Sequence, residues 1–141
     1  MKRLFPLLIV LFPGNNSLIA QVFLQAHTHE VVQWEVAATT DYADPFREVA
    51  VYALIENEAG ETVMRLPGFW RGGQVWAFRF SAAEPGTYRF TTGCASGEAP
   101  GLMGQSGRIV VRPYDGDNPL YRHGPVYLSA DHSHLTHADG T

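Results

Sequence analysis

The sequence predicts an all-β protein, an antiparallel sandwich of about seven short strands. Apolar and polar residues alternate with a period of two along several stretches, which is typical of strands with one buried face. Turn-forming residues separate these stretches at short intervals. The chain of 141 residues has one cysteine, Cys94, so no internal disulfide can form and packing must stabilise the fold.

The alternating pattern can be followed in order along the chain. The residues that share a face on each predicted strand are Val32, Trp34, Val36 and Ala38; then Trp76, Phe78 and Phe80; then Tyr88, Phe90 and Thr92; then Ile109 and Val111; and finally Val126, Leu128 and Ala130. Their intervening turns are Glu58-Ala59-Gly60, Gly72-Gly73, Glu84-Pro85-Gly86, Ala99-Pro100-Gly101 and Asp115-Gly116-Asp117. This register places Trp34 and Trp76 in the core.

Residues 47–59 fit two kinds of secondary structure. The stretch REVAVYALIENEA contains acceptable helix formers and ends at Gly60, which is a plausible helix stop. The same stretch places Val49, Val51, Ala53 and Ile55 on one face at strand spacing. We interpret it as a strand, because its neighbours are strands and no capping residue marks a helix.

The N-terminal residues have the layout of a secretory signal peptide. Lys2 and Arg3 precede an apolar run from Leu4 to Phe12, and Pro13-Gly14 follows. The alternative, a membrane anchor, would need about 20 apolar residues, roughly twice this run. We therefore predict a signal peptide over residues 1–20 and a periplasmic or extracellular protein.

The charge of the chain excludes two classes of partner. The chain has 10 basic and 14 acidic residues, and Lys2 and Arg3 both lie in the predicted signal. The mature chain is therefore more acidic than the formal net charge of −4. Such a balance repels phosphate backbones and anionic lipids, so we expect neither nucleic-acid binding nor membrane binding after signal removal.

Several segments occur in an order that resembles a known bacterial family. They are ATTDYADPFREVAVYALI, LPGFWRGGQVWAFRFSAAEPGTYRF, GQSGRIVV, NPLYRHGPVYLS and HLTHADGT. Together they resemble proteins that carry an N-terminal immunoglobulin-like domain before an apiosidase-like TIM-barrel catalytic domain, a group of glycoside hydrolases. The resemblance implies an immunoglobulin-like sandwich, with a non-catalytic accessory role beside a barrel partner. It places the catalytic carboxylates in the barrel, so it implies no catalytic residue in this chain.

The predicted organisation has four parts. We expect a signal peptide over 1–20, a flexible N-terminal segment over 21–30, the sandwich over 31–113, and a linker with the start of the barrel over 114–141. Asp139-Gly140 suits a tight hairpin turn, and one residue follows it. The C-terminal end is expected to be a partial hairpin, and the resemblance implies that the barrel begins there. His27 and His29 lie in the segment expected to be frayed.

Two groups of residues are candidates for carbohydrate or interdomain contact. Phe69, Trp70 and Arg71 lie between glycines, in a predicted loop or short edge strand. An exposed Trp70 could stack on a polysaccharide or pack against the barrel, since exposed aromatic surface generally marks an interface. The other group is Tyr121, Arg122 and His123, in a segment that resembles the link between sandwich and barrel. An autonomous carbohydrate-binding module using Trp70 remains an alternative function.

Histidines near the C-terminal end raise a weaker alternative, a small metal-binding protein. His132 and His134 would project to one side if they lay on a strand, and His137 could add a third ligand. No cysteine or paired-carboxylate motif accompanies them, so we expect no metal or other cofactor. The acidic residues form no marked pair for glycoside hydrolysis, and a nucleophile elbow is absent from the sequence. This chain alone is therefore not expected to be an enzyme.

Overall fold

The computed structural model describes residues 22–96 and 98–141. The predicted signal peptide lies outside the described residues. The strands are β1 (Val22–His27), β2 (Val32–Ala37), β3 (Val51–Glu56), β4 (Thr62–Pro67), β5 (Phe69–Gly72), β6 (Val75–Phe80), β7 (Gly86–Cys94), β8 (Ser106–Arg112), β9 (Val126–Leu128) and β10 (Leu135–His137). The helices are α1 (Pro45–Glu48) and α2 (Pro119–His123). None of the described helices has the length and apolar character needed to cross a membrane.

The strands form a sandwich with a small appended hairpin. One sheet has the order β1-β8-β7-β3-β4 and the other has the order β2-β6-β5, while β9 and β10 form a separate two-stranded sheet. Every pair is antiparallel except β1 with β8, which is parallel. The predicted fold class, an all-β sandwich with a C-terminal partial hairpin, is confirmed.

The core lies between the two larger sheets and is rich in aromatic side chains. Trp34 stacks between Phe78, 5.2 Å away, and Phe90, 4.4 Å away, as measured between ring centroids. Trp76 has 1% of its surface exposed. Such rings bury large areas and add about 0.5–1.5 kcal/mol per pair beyond their burial. The prediction that Trp34 and Trp76 are core residues is confirmed.

The ambiguous stretch 47–59 is mainly a strand. Residues Val51–Glu56 form β3, and Val49, Val51, Ala53 and Ile55 are all buried, as the strand interpretation predicts. Within this stretch only residues 47 and 48 are helical, as the end of the single turn α1, in which Pro45 occupies the first helical position.

The expectation of a flexible segment over residues 21–30 is wrong for residues 22–27. These residues form β1, which pairs with β8 from Val22 opposite Gly107 to His27 opposite Arg112. Val22 and Leu24 pack against the core, so their burial stabilises the strand. The next turn is also ordered by contacts, because the His29 amide donates to the Ala82 carbonyl oxygen at 2.8 Å. His27 and His29 are therefore not frayed.

Gly68 lies where the chain passes from β4 in one sheet to β5 in the other. A Cβ atom at this position would lie 2.7 Å from Val51 Cγ1 and 2.8 Å from Phe78 Cε1. The Gly68 amide donates to the Val51 carbonyl oxygen at 2.9 Å. The crossing is therefore close-packed, and only glycine fits without displacing core side chains.

Candidate functional site

The three residues predicted as one contact group lie on β5, but they face opposite sides of the sheet. Trp70 packs against the core, with the Phe46 ring edge-on to it at 5.1 Å. Its indole Nε1 donates to the Gly73 carbonyl oxygen at 2.9 Å. The side chain is partly buried and its indole N–H has a hydrogen-bond partner within the chain.

Phe69 and Arg71 lie on the outer face of the three-stranded sheet. Arg71 is the extra residue of a β-bulge, and its guanidinium forms an ion pair with Glu35 on β2. Because β6 lies between β2 and β5, this pair spans the middle strand above Ala77, which has no exposed surface. The Arg79 guanidinium lies 4.9 Å from the centre of the Phe69 ring. Arg71 and Phe69 are thus engaged by neighbouring side chains.

The second predicted group lies on α2, which is fixed to the sandwich by aromatic and polar contacts. The Asn118 side chain caps the helix by accepting a hydrogen bond from the Leu120 amide at 3.0 Å. Tyr121 packs edge-on to Tyr114 at 5.3 Å, and the Tyr114 amide donates to Thr28 Oγ1 at 3.1 Å. These contacts join α2 to the turn that follows β1.

The two charged residues of α2 have partners of their own. Arg122 Nη2 donates to the Asp117 carboxylate and to the Gly116 carbonyl oxygen, both at 2.8 Å. His123 Nδ1 lies 2.7 Å from Asp139 Oδ2. Hydrogen bonds from the Thr141 hydroxyl, and then from His123, hold the pKa of Asp139 well below its usual range. In the described part of the chain, no hydrogen bond or ion pair joins the β5 group to the α2 group.

The C-terminal hairpin is held by its own loop contacts. In the loop between β9 and β10, the Ser129 hydroxyl donates to Asp131 Oδ1 at 2.6 Å and accepts from the His134 amide at 3.1 Å. The hydroxyl of Ser129, followed by that of Ser133, lowers the pKa of Asp131 by hydrogen bonding to its carboxylate. This loop is a compact polar turn whose acid is already engaged.

The structure does not arrange the three C-terminal histidines as a metal site. His132 lies in the loop with φ of 58°, so His132 and His134 do not share a strand face. His137 Nδ1 donates to the Gly124 carbonyl oxygen at 2.8 Å. Among residues 22–96 and 98–141, no group of three or more His, Cys, Asp or Glu side chains is placed to hold a metal ion.

A second hairpin turn begins after β10. The Gly140 amide donates to the His137 carbonyl oxygen at 2.9 Å, and the His137 amide donates to the Thr141 carbonyl oxygen at 2.8 Å. Gly140 has φ of 88°, the left-handed conformation that closes a three-residue hairpin loop. The prediction that Asp139-Gly140 forms a hairpin turn is confirmed.

The hairpin and α2 expose a patch of large apolar side chains. We call these side chains together the hairpin surface, and they are Leu120, Val126, Tyr127, Leu128 and Leu135. Val126, Leu128 and its cross-strand partner Leu135 share one face of the hairpin, whereas Tyr127 lies on the other face, because side chains alternate along a strand. The exposed fractions reach 57% for Tyr127 and 69% for Leu135. A groove of about 660 Å³ lies between this surface and the sandwich, and His29, Ser81 and Ala83 line its sandwich side. Apolar patches of this kind generally mark an interaction site.

A second concave feature, which we call the edge cleft, adjoins this groove, since Ser81 and Ala83 line both. It has a volume of about 610 Å³ and is lined by the β3–β4 turn, part of β4, and the β6–β7 loop with its flanking residues. Phe80 and Tyr88 pack edge-on at 5.1 Å, and Met64 lies beside them with 41% exposure. Burial raises the pKa of Tyr88, whose hydroxyl donates to the Glu84 carbonyl oxygen at 2.9 Å.

Sequence reasoning did not find the edge cleft. Its exposed apolar residues, Val63 and Met64, lie on β4, where a register shift between Ile55 and Glu56 on β3 interrupts regular pairing. The apolar pair Val63-Met64 is a local signal, but it does not show that a cleft forms beside it.

The fold and these surfaces define a β-sandwich domain with an appended apolar hairpin. Residues 25–95, about half of the chain, match the family described as a domain of unknown function, DUF5060. The chain belongs to this family.

A solved structure supports the fold. It is described as a "putative glycoside hydrolase from Bacteroides vulgatus", and it superposes with a TM-score of 0.64 at 23% sequence identity. The aligned region covers 84% of this chain and 21% of that chain, so this chain spans about a fifth of that protein's length. At this identity the likeness establishes the shared fold. No curated protein matches the sequence.

Proposed function

We propose that this chain is a non-catalytic accessory domain of a secreted glycoside hydrolase, and that its hairpin surface packs against a carbohydrate-active catalytic barrel. The observation that carries the proposal is this exposed apolar surface. Two findings support the choice of partner: the resemblance of the sequence to domains that precede an apiosidase-like barrel, and the likeness to one fifth of a longer protein described as a glycoside hydrolase.

The position of the hairpin surface suits a junction between domains. Its polar contacts with α2, such as the Asp139 amide to the His123 carbonyl oxygen at 3.3 Å, fix the hairpin and α2 relative to each other. The side chains left exposed are mainly aliphatic, together with Tyr127. Apolar and tyrosine side chains are typical of the buried centre of an interface, where charged side chains are depleted.

Export is part of the same proposal. It is supported by the basic residues Lys2 and Arg3 and by the apolar run that follows them, which match a secretory signal. N-terminal sequencing of the protein recovered outside the cytoplasm tests this part. The proposal expects a mature chain that begins after the apolar run, whereas an intact N-terminus would contradict export.

The docking part is tested in the longer protein that the proposal requires. The reading frame should continue past Thr141 into a catalytic domain. In that protein, Leu128→Glu should lower the thermal stability and the hydrolytic activity, because a charge would be buried at the junction. Met103→Glu is the matched control, since Met103 is exposed by 46% and Leu128 by 56%. A frame that stops at Thr141, or equal effects of the two substitutions, would contradict docking.

A further inference from the structure

The edge cleft has the shape and composition of a small-molecule site. Its volume of about 610 Å³ falls within the range of about 300–1,000 Å³ that is typical of ligand pockets. Phe80 and Tyr88 come from different sheets, so their aromatic contact forms a floor that spans the sandwich. Val63 and Met64 border this floor with 50% and 41% of their surfaces exposed. Phe80 itself is buried, with 3% of its surface exposed, so the apolar surface open to a ligand comes from Val63, Met64 and the partly buried Tyr88.

The same cleft carries polar groups with unused hydrogen-bonding capacity. Glu58 Oε1 accepts from the Thr87 amide at 3.0 Å, and its second oxygen remains available. The Glu84 carboxylate and the hydroxyls of Ser81 and Thr87 also belong to the lining, and none of these groups has a side-chain hydrogen bond within the described residues. In the same part of the chain, no basic side chain lines the cleft. The polar lining therefore offers mostly acceptors.

We propose that the edge cleft binds a neutral sugar unit of a polysaccharide. A sugar ring has an apolar face of C–H groups, which suits the apolar surface that Met64 and Tyr88 present above the buried Phe80. Its hydroxyl groups supply donors for the carboxylates of Glu58 and Glu84, and hydrogen bonds to charged acceptors are the stronger kind. An amphipathic amine would pair with the carboxylates of Glu58 and Glu84, but it would leave the hydroxyl groups of Ser81 and Thr87 without partners.

This inference gives carbohydrate recognition a different location from Trp70. The indole of Trp70 is partly buried against the core and hydrogen-bonded to Gly73, so it presents less ring surface than a fully exposed tryptophan. The proposal rests on the accessory role proposed above, since it names the substrate class that such a domain would hold. It is tested separately, because the titration uses this chain without any catalytic domain.

The experiment is a titration of the full chain with neutral hexasaccharides of glucose, xylose, mannose, galactose and arabinose, followed by calorimetry and by NMR of backbone amides. Choline serves as the cationic probe. Met64→Arg places a bulky charge at the mouth of the cleft, and Met103→Arg is the matched control at similar exposure. Glu84→Gln keeps the shape of the side chain but removes its charge. Thermal unfolding of each variant verifies that it is folded.

We expect at least one hexasaccharide to bind and to shift the amides of residues 81–88. Met64→Arg should lower the association constant by about tenfold or more, whereas Met103→Arg should leave it within about twofold of the value for the unsubstituted chain. Glu84→Gln should also weaken binding. If none of the sugars binds at about 10 mM, or if Met64→Arg and Met103→Arg have equal effects, the proposal is wrong. Binding of choline without any sugar would also overturn it, in favour of a cationic ligand.

Discussion

Gly68→Ala tests whether the crossing from β4 to β5 is as tightly packed as the structure indicates. The added methyl carbon would lie 2.7 Å from Val51 Cγ1 and 2.8 Å from Phe78 Cε1, well inside van der Waals contact. Both neighbours are buried, with 4% and 0% of their surfaces exposed, so neither can move aside freely. Gly68 does not have a left-handed φ, and the effect should therefore come from packing alone.

The magnitude follows from two opposing terms. Overpacking of a core costs about 1–3 kcal/mol, while replacing glycine by alanine at a compatible φ stabilises by about 0.4–1 kcal/mol through the unfolded chain. We expect a net loss of about 1–2 kcal/mol in the free energy of unfolding. Urea denaturation measures this loss, and the dependence on urea concentration should keep its slope.

A double-mutant cycle identifies the cause of the Gly68→Ala effect. Val51→Ala removes the nearer of the two clashing side chains, so the cost of Gly68→Ala should shrink in that background. A coupling energy of at least about 0.5 kcal/mol is expected for residues in contact. Full additivity, or a Gly68→Ala protein at least as stable as the parent, would refute the packing argument.

Three further predictions concern other contacts. Gly107→Ala should lower the free energy of unfolding, measured by urea denaturation, more than Gly68→Ala does. The reason is that the added Cβ would lie 2.6 Å from a backbone oxygen as well as 2.5 Å from Phe90 Cε1. An equal or smaller loss of unfolding free energy would contradict this. Arg71→Ala should lower the free energy of unfolding by no more than about 1 kcal/mol, since the ion pair between Arg71 and Glu35 is exposed. A larger loss in thermal unfolding would contradict this expectation. The lowered pKa of Asp139 adds stability that is present above its unfolded value of 3.8 and is lost as the pH falls below that value. The protection of β10 amides against hydrogen exchange, relative to the intrinsic exchange rate at each pH, should therefore fall in acid, and Asp139→Asn should remove that dependence.

The sequence predicts the parts of the fold that depend on local pattern. The alternation of Trp76, Phe78 and Phe80 identifies β6 and its buried face, because side chains on a strand alternate strictly. The segment at β1 begins with three consecutive apolar residues, Val22-Phe23-Leu24, and its position beside the apolar leader favoured a flexible interpretation. Its strand state depends on the exposed edge of β8, a partner 85 residues away in the sequence at Val22 and Gly107.

The candidate surfaces depend on tertiary arrangement and were only partly predictable. Trp70 lies opposite the buried Trp76 on β6, so the pairing of β5 with β6 places it on the inner face, and a local pattern does not reveal that pairing. The hairpin turn at Gly140 was predictable, since a left-handed position after Asp139 favours glycine. The edge cleft needs knowledge of where the sheets separate, which belongs to the assembled sandwich.

The central claim is that the hairpin surface is covered by a catalytic domain in the longer protein. Hydroxyl-radical footprinting of side chains tests this most directly, because it reports the exposure of Tyr127, Leu128 and Leu135 themselves. Labelling of these residues should fall strongly in the longer protein relative to this chain alone, while labelling of Met103, which lies outside the surface, should stay the same. Equal labelling of Tyr127, Leu128 and Leu135 in the two proteins would contradict the proposed docking.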